Sequence, residues 1–154
     1  MREFDHSLAI EATPVRVLDA FFNDDDLAAW WHTSRSMCHP RPFGNYAVEW
    51  PPGAAKDEVL GRMGGAFRGT VIEFKPGREF FIADAYWLPP DGEPIGPMAF
   101  EATCSLVSGR TVLQIRQSGF EHSDRWTRYY DVISTGLTVA LEELKRHVES
   151  QWND

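Results

Sequence analysis

The chain has 154 residues, 43% hydrophobic and 25% charged, a size and balance that fit one folded domain and exclude a disordered chain. With 23 Asp and Glu against 15 Lys and Arg the formal charge is −8, a field that repels phosphate backbones and anionic headgroups, so neither nucleic acid nor membrane is expected as a partner. Cys38 and Cys104 form no disulfide framework and have no metal-type spacing, residues 1–11 lack the pattern of a signal peptide, and no apolar run reaches membrane-spanning length, which together predict a cytoplasmic protein with reduced thiols.

Phe4, His6, Leu8 and Ile10 alternate with polar neighbours, the pattern of a half-buried first strand. Thr13 followed by Pro14 supplies an N-cap and a proline at the first helical position, and Val15, Leu18, Phe21 and Phe22 continue at helical spacing, which predicts a short helix. Asn23 to Asp26 cap a second short helix running through Leu27 to Trp31, because carboxylates favour the positive end of a helix dipole. From 33 to 118 glycine and proline punctuate strand-like segments at 34–39, 45–50, 66–74, 79–88, 98–107 and 111–117. Pro76-Gly77 and Ser108-Gly109 read as hairpin turns, and the longer Pro/Gly-rich loops at 51–65 and 89–97 are placed to gate a pocket.

Trp126, Tyr130, Ile133, Leu137, Leu141, Leu144 and Val148 recur at steps of four and three with polar residues between them, predicting a long amphipathic helix from about 123 to 149. Gly136 in its middle costs about 1 kcal/mol relative to alanine, so either close packing or room for a ligand must compensate. The order of elements predicts an α+β helix-grip fold over 1–154: two short helices after the first strand, and a curved antiparallel sheet of six or seven strands wrapped around the C-terminal helix. A helix laid on the concave face of a curled sheet leaves space unfilled. The aromatic surplus, six Trp and ten Phe among the residues, suits the lining of such a cavity.

The cavity is expected to be lined by Trp31 from the second helix, by Tyr46, Val48, Trp50, Ile82, Phe100 and Ala102 from the strands, and by Tyr130, Ile133 and Leu137 from the last helix. Arg68, Asp84 and Gln117 are the candidate polar anchors. Asp84 stands out because FFIADAYW surrounds it with apolar and aromatic neighbours, and a carboxylate buried there would be paired or would carry a raised pKa. Asp24, Asp25 and Asp26 read as helix-start carboxylates, and Cys38 and His39 point to opposite faces of a strand, so no metal and no cofactor is expected. Glu121 and His122 read as surface capping residues, and no nucleophile elbow, phosphate loop or zinc-protease helix occurs. No catalytic residue is assigned.

Four segments carry a resemblance: ATPVRVLDAFFNDDDLAAWW at 12–31, GTVIEFKPGREFFIADAYW at 69–87, FEATCSLVSGRTVLQIRQSGF at 100–120 and TGLTVALEELKRHVES at 135–150. In this order they resemble the SRPBCC or START-like superfamily, in the branch homologous to the C-terminal domain of the heat-shock protein 90 ATPase activator. That branch commonly has a Gly-Trp pair in its last helix, whereas here Leu137 follows Gly136. The resemblance implies a helix-grip fold with a hydrophobic cavity that binds a small apolar molecule. It also implies two alternatives: a cyclase- or aromatase-like enzyme using Asp84 as acid or base, and a chaperone-type interaction module with a filled core and an exposed apolar patch. The activator's chaperone role depends on a further N-terminal domain, for which this chain is expected to have no room. A homodimer is compatible with each reading.

Overall fold

The computed structural model describes residues 2–152; residues 1, 153 and 154 of the expected domain lie outside the described part. The alternating N-terminal segment forms β1 (Phe4–Ile10), followed by α1 (Pro14–Asp19) and α2 (Asp24–Trp31). Then come β2 (Arg35–Cys38), β3 (Asn45–Trp50), the two-residue strands β4 (Lys56–Asp57) and β5 (Gly61–Arg62), and β6 (Gly65–Lys75). β7 (Glu79–Leu88), β8 (Ile95–Val107), β9 (Arg110–Ser118) and α3 (Asp124–Trp152) complete the chain. Seven strands join in one antiparallel sheet in the order β1-β9-β8-β7-β6-β3-β2. The expected helix-grip architecture is the observed one. β8 begins three residues earlier than its pattern suggests, and the loop 51–65 carries the small β4-β5 hairpin.

The helices begin where their caps dictate. Thr13 Oγ1 accepts from the Arg16 amide at 3.2 Å, Asn23 Oδ1 from the Asp26 amide at 3.1 Å, and Ser123 Oγ from the Trp126 amide at 3.1 Å. α2 stops at His32, whose φ of 60° places it in the left-handed region and lets its amide return to the Leu27 carbonyl. α3 buries Trp126, Tyr129, Leu137, Leu141, Leu144 and Val148. Tyr130 is therefore corrected: Tyr129 takes the inward place, while Tyr130 is half-buried against Phe120, with the Arg2 guanidinium over its ring. Both tyrosines satisfy a three- or four-residue step from Trp126, and periodicity alone does not choose between them.

A bulge in β7 changes the phase of that strand. Phe80 and Ile82 point inward, the register to β8 shifts between Ile82 and Ala85, and from there Ala85 and Trp87 point inward. Asp84 sits at the bulge with φ 51° and is exposed. Uninterrupted alternation would have put Asp84 on the face of Ile82; the extra residue turns it out to water. Gly69 makes room for this detour, because a Cβ there would lie 2.6 Å from Ile82 Cγ2 and 3.0 Å from the Ala83 carbonyl. Arg68, beside it on β6, is also exposed, on the convex face, since its neighbour Phe67 takes the inward phase.

Asp26 ties the three helices together. Its carboxylate receives both Arg16 guanidinium nitrogens at 2.7 Å and lies 2.8 Å from His147 Nε2 on α3. Burial pushes the Asp26 carboxyl up, but the hydrogen bonds and charges of Arg16 and His147 outweigh it and hold the group below the usual carboxylate range. On either side of His147 in the same end of α3, Lys145 Nζ donates to the Ala9 carbonyl at 2.6 Å and the Glu11 amide donates to Glu149 at 2.8 Å, fastening the helix to the end of β1 and the residue after it.

Replacing Asp26 by Asn keeps the volume and removes the charge facing Arg16 and His147. We expect a loss of about 2–3 kcal/mol of stability at neutral pH, read as a fall in melting temperature. Because the native pKa is depressed, Asp26 contributes its stability above its unfolded value and loses it as pH falls through the native one. The acid limb of the stability profile should therefore be shallower in Asp26→Asn than in wild type; parallel limbs would contradict this role.

Candidate functional site

Aromatic residues of the turn between α1 and α2 and of the sheet fill one half of the grip. Phe21, Phe22, Phe80 and Phe100 pack at centroid separations from 5.1 to 6.4 Å, and Phe22 meets Tyr46 edge-on at 5.3 Å. Tyr46, Val48, Ile82 and Ala102 are wholly buried in this region. All four belong to the buried core and are not among the residues that line the pocket described next, where the sequence had placed them.

The other half is open. Between the sheet, α2 and the middle of α3 lies a pocket of about 720 Å³. Phe67, Trp87, Phe100, Gln117 and Tyr129 form its buried interior, and Trp30, Trp31 and Trp50 form one side. α3 contributes Val132, Ile133, Gly136, Leu137 and Ala140, and the rim carries His32, Pro51, Glu143 and Val139, the last 59% exposed. Of the expected site residues, the pocket unites Trp31, Trp50, Phe100, Gln117, Ile133 and Leu137. It excludes Tyr46, Val48, Arg68, Ile82, Asp84, Ala102 and Tyr130. Trp30, Trp87 and Tyr129 were not anticipated: Trp87 needs the β7 bulge to turn inward, and Tyr129 competes with Tyr130.

The tryptophans are fixed by their polar edges. Trp30 Nε1 donates to the Ala20 carbonyl at 2.8 Å, Trp50 Nε1 to the Trp31 carbonyl at 2.9 Å, and Trp87 Nε1 to the Gly64 carbonyl at 2.8 Å. With these N–H groups satisfied by backbone, the rings offer the pocket apolar surface. Trp30 and Trp31 do not diverge as neighbours on a helix usually do; their rings stack at 4.8 Å with a 9° interplanar angle, and Trp50 meets Trp31 edge-on at 5.2 Å.

The loop 51–65 closes the side nearest the start of α3. Asp57 Oδ1 accepts from Arg128 Nε at 2.8 Å, and its Oδ2 caps the Val59 and Leu60 amides at 3.0 and 2.9 Å. The hydrogen bond from Arg128 and these amides bring the Asp57 carboxyl down to about 2. The clamp is thus charged at any physiological pH. The neighbouring loop is held in turn by Arg125, which donates to the Glu93 and Pro94 carbonyls. Asp84, the acid on which an enzymatic reading rested, is in solvent outside the pocket.

No protein-family profile matches the chain, and no curated protein matches it. Solved structures do. A protein of Chromobacterium violaceum is 22% identical with a TM-score of 0.70, covering 97% of this chain and 99% of its own. A protein of Mesorhizobium loti is 17% identical with a TM-score of 0.70, covering 94% and 95%. The Aha1 dimer of Colwellia psychrerythraea is 17% identical with a TM-score of 0.68, covering 97% of each chain. At these identities the likeness shows the fold alone, the helix-grip architecture described above.

Gly136 faces the pocket side of α3, and a Cβ there would meet nothing within 4 Å. Close packing therefore does not account for this glycine. Gly136→Ala should stabilise the helix by about 0.5–1 kcal/mol, raising the melting temperature by roughly 1–4 °C. A drop in melting temperature would show a constraint at Gly136 that these contacts do not contain.

Proposed function

We propose that this protein binds one small, largely apolar molecule in the pocket between the sheet and α3. The observation that carries the reading is the pocket itself: about 720 Å³, walled by four tryptophans, of which Trp30, Trp50 and Trp87 have their indole N–H already bonded to backbone. Burying apolar ligand surface there supplies about 25 cal/mol per Å² before ordering costs are subtracted. Gln117 is the polar anchor that remains of those expected from the sequence, and with Tyr129 it gives orientation. We place the protein in the cytoplasm, where Cys38 and Cys104 remain thiols; burial pushes them up to about 11 and about 12 and leaves them unreactive at neutral pH. Among the described residues no helix is long and apolar enough to cross a membrane.

Native mass spectrometry of the protein after exposure to an extract of its own host tests the reading. We expect a stoichiometric apolar compound, lost in a Leu137→Trp variant whose melting temperature stays within a few degrees of wild type. A clean unliganded mass from that extract would sink the proposal and favour an interaction module.

A homodimer is the second part of the reading, supported by the dimeric state named for the Colwellia psychrerythraea structure. Light scattering at micromolar concentration should give twice the chain mass of 17.5 kDa. A value at the chain mass would remove it.

A further inference from the structure

The two polar groups inside the pocket are Gln117 and Tyr129, 3% and 4% exposed. Gln117 Nε2 donates to the Tyr129 hydroxyl at 3.1 Å and to Met98 Sδ at 3.1 Å. Those bonds leave two capacities unused among the described residues. The Tyr129 oxygen accepts from Gln117 while its own hydrogen has no protein acceptor, and Gln117 Oε1 has no protein donor. One of the bonds already made is weak, since a thioether is a poor acceptor. A donor and an acceptor therefore stand side by side in an otherwise apolar interior, where unmet polar groups are costly. A ligand hydroxyl satisfies both at once, accepting from Tyr129 and donating to Gln117 Oε1.

Charge and shape narrow the ligand further. Among the described residues no lysine or arginine lines the pocket, and its rim carries the Glu143 carboxylate, within 3.0 Å of Arg146. A buried carboxylate or phosphate would have no cation to meet. The walls are fixed rings, and a flat rigid molecule loses less freedom against them than a flexible acyl chain does. Burial pushes the Tyr129 phenol well up, so it stays a donor at neutral pH.

We propose that the ligand is a neutral, planar aromatic molecule whose hydroxyl is held between the Tyr129 phenol and the Gln117 carboxamide. This deepens the proposed binding reading and rests on it.

Calorimetric titration of the whole chain with 2-naphthol and its near-isostere 2-methylnaphthalene tests the pair. Tyr129→Phe removes a single oxygen and keeps the ring against Trp87 and Phe120. We expect the ratio of 2-naphthol to 2-methylnaphthalene affinity to fall about tenfold in Tyr129→Phe, the size of one net hydrogen bond. 2-Naphthoate should bind wild type at least about tenfold more weakly than 2-naphthol, since its charge is unpaired. If both isosteres bind but their ratio is unchanged in Tyr129→Phe, or if 2-naphthoate binds as well as 2-naphthol, this proposal is overturned while the apolar pocket stands. If neither isostere binds wild type up to its solubility, the pocket reading fails and this proposal falls with it.

Discussion

The rest of the structure depends on one constraint: the apolar stripe of α3 has to be buried against a sheet that curves away from it. A straight helix touches a concave surface at its ends before its middle. At one end Trp126 and Tyr129 pack against Phe120 and Trp87, with centroids 5.7 to 6.0 Å apart. At the other, Leu141, Leu144 and Val148 are sealed, and Lys145 and Glu149 tie the helix to β1. Between these seats Ile133, Gly136, Leu137 and Ala140 face the pocket. The cavity follows from geometry: burying the two ends already gives the helix its hydrophobic stabilisation.

What gives the pocket its walls is a second, polar constraint at Asp26. A half-exposed ion pair contributes little, but this carboxylate is only 10% exposed and joins α1, α2 and α3 at a single point. α2 is eight residues long and carries Trp30 and Trp31 at its C-terminal end. Fixing its N-terminal turn through Asp26, and its C-terminal turn through the left-handed His32 cap, sets where both rings lie. Stability of the helical cluster and the shape of the site are thus linked through Asp26, which does not line the pocket.

The loop between β3 and β6 supplies the remaining wall. A chain of fourteen residues rich in proline and glycine would be free to move on its own, yet Asp57 caps its turn and pairs with Arg128 on α3. Trp87 adds a further tie by donating to the Gly64 carbonyl. The ties to Arg128 and Trp87 span elements distant in sequence, so the enclosure of the site is a property of the assembled fold.

The sequence by itself determined the order of elements, the helix starts and the long amphipathic helix, because these rest on local chemistry. Thr13, Asn23 and Ser123 cap their own amides, and hydrophobic spacing reports which residues share a face. Of the residues the sequence singled out, Trp31, Trp50, Phe100, Gln117, Ile133 and Leu137 line one pocket in the structure. Tertiary structure alone decided the rest. A bulge opposite Gly69 reversed the phase of β7, sending Asp84 to solvent and Trp87 inward, and strand alternation carries no mark of such an insertion. The tie between Tyr129 and Tyr130 was broken by what each ring meets, Gln117 and Trp87 for one and Phe120 with Arg2 for the other. Whether a buried residue such as Tyr46 or Ile82 lines a pocket or closes a core depends on how completely its neighbours fill the concavity, and that volume exists only once sheet and helices have come together.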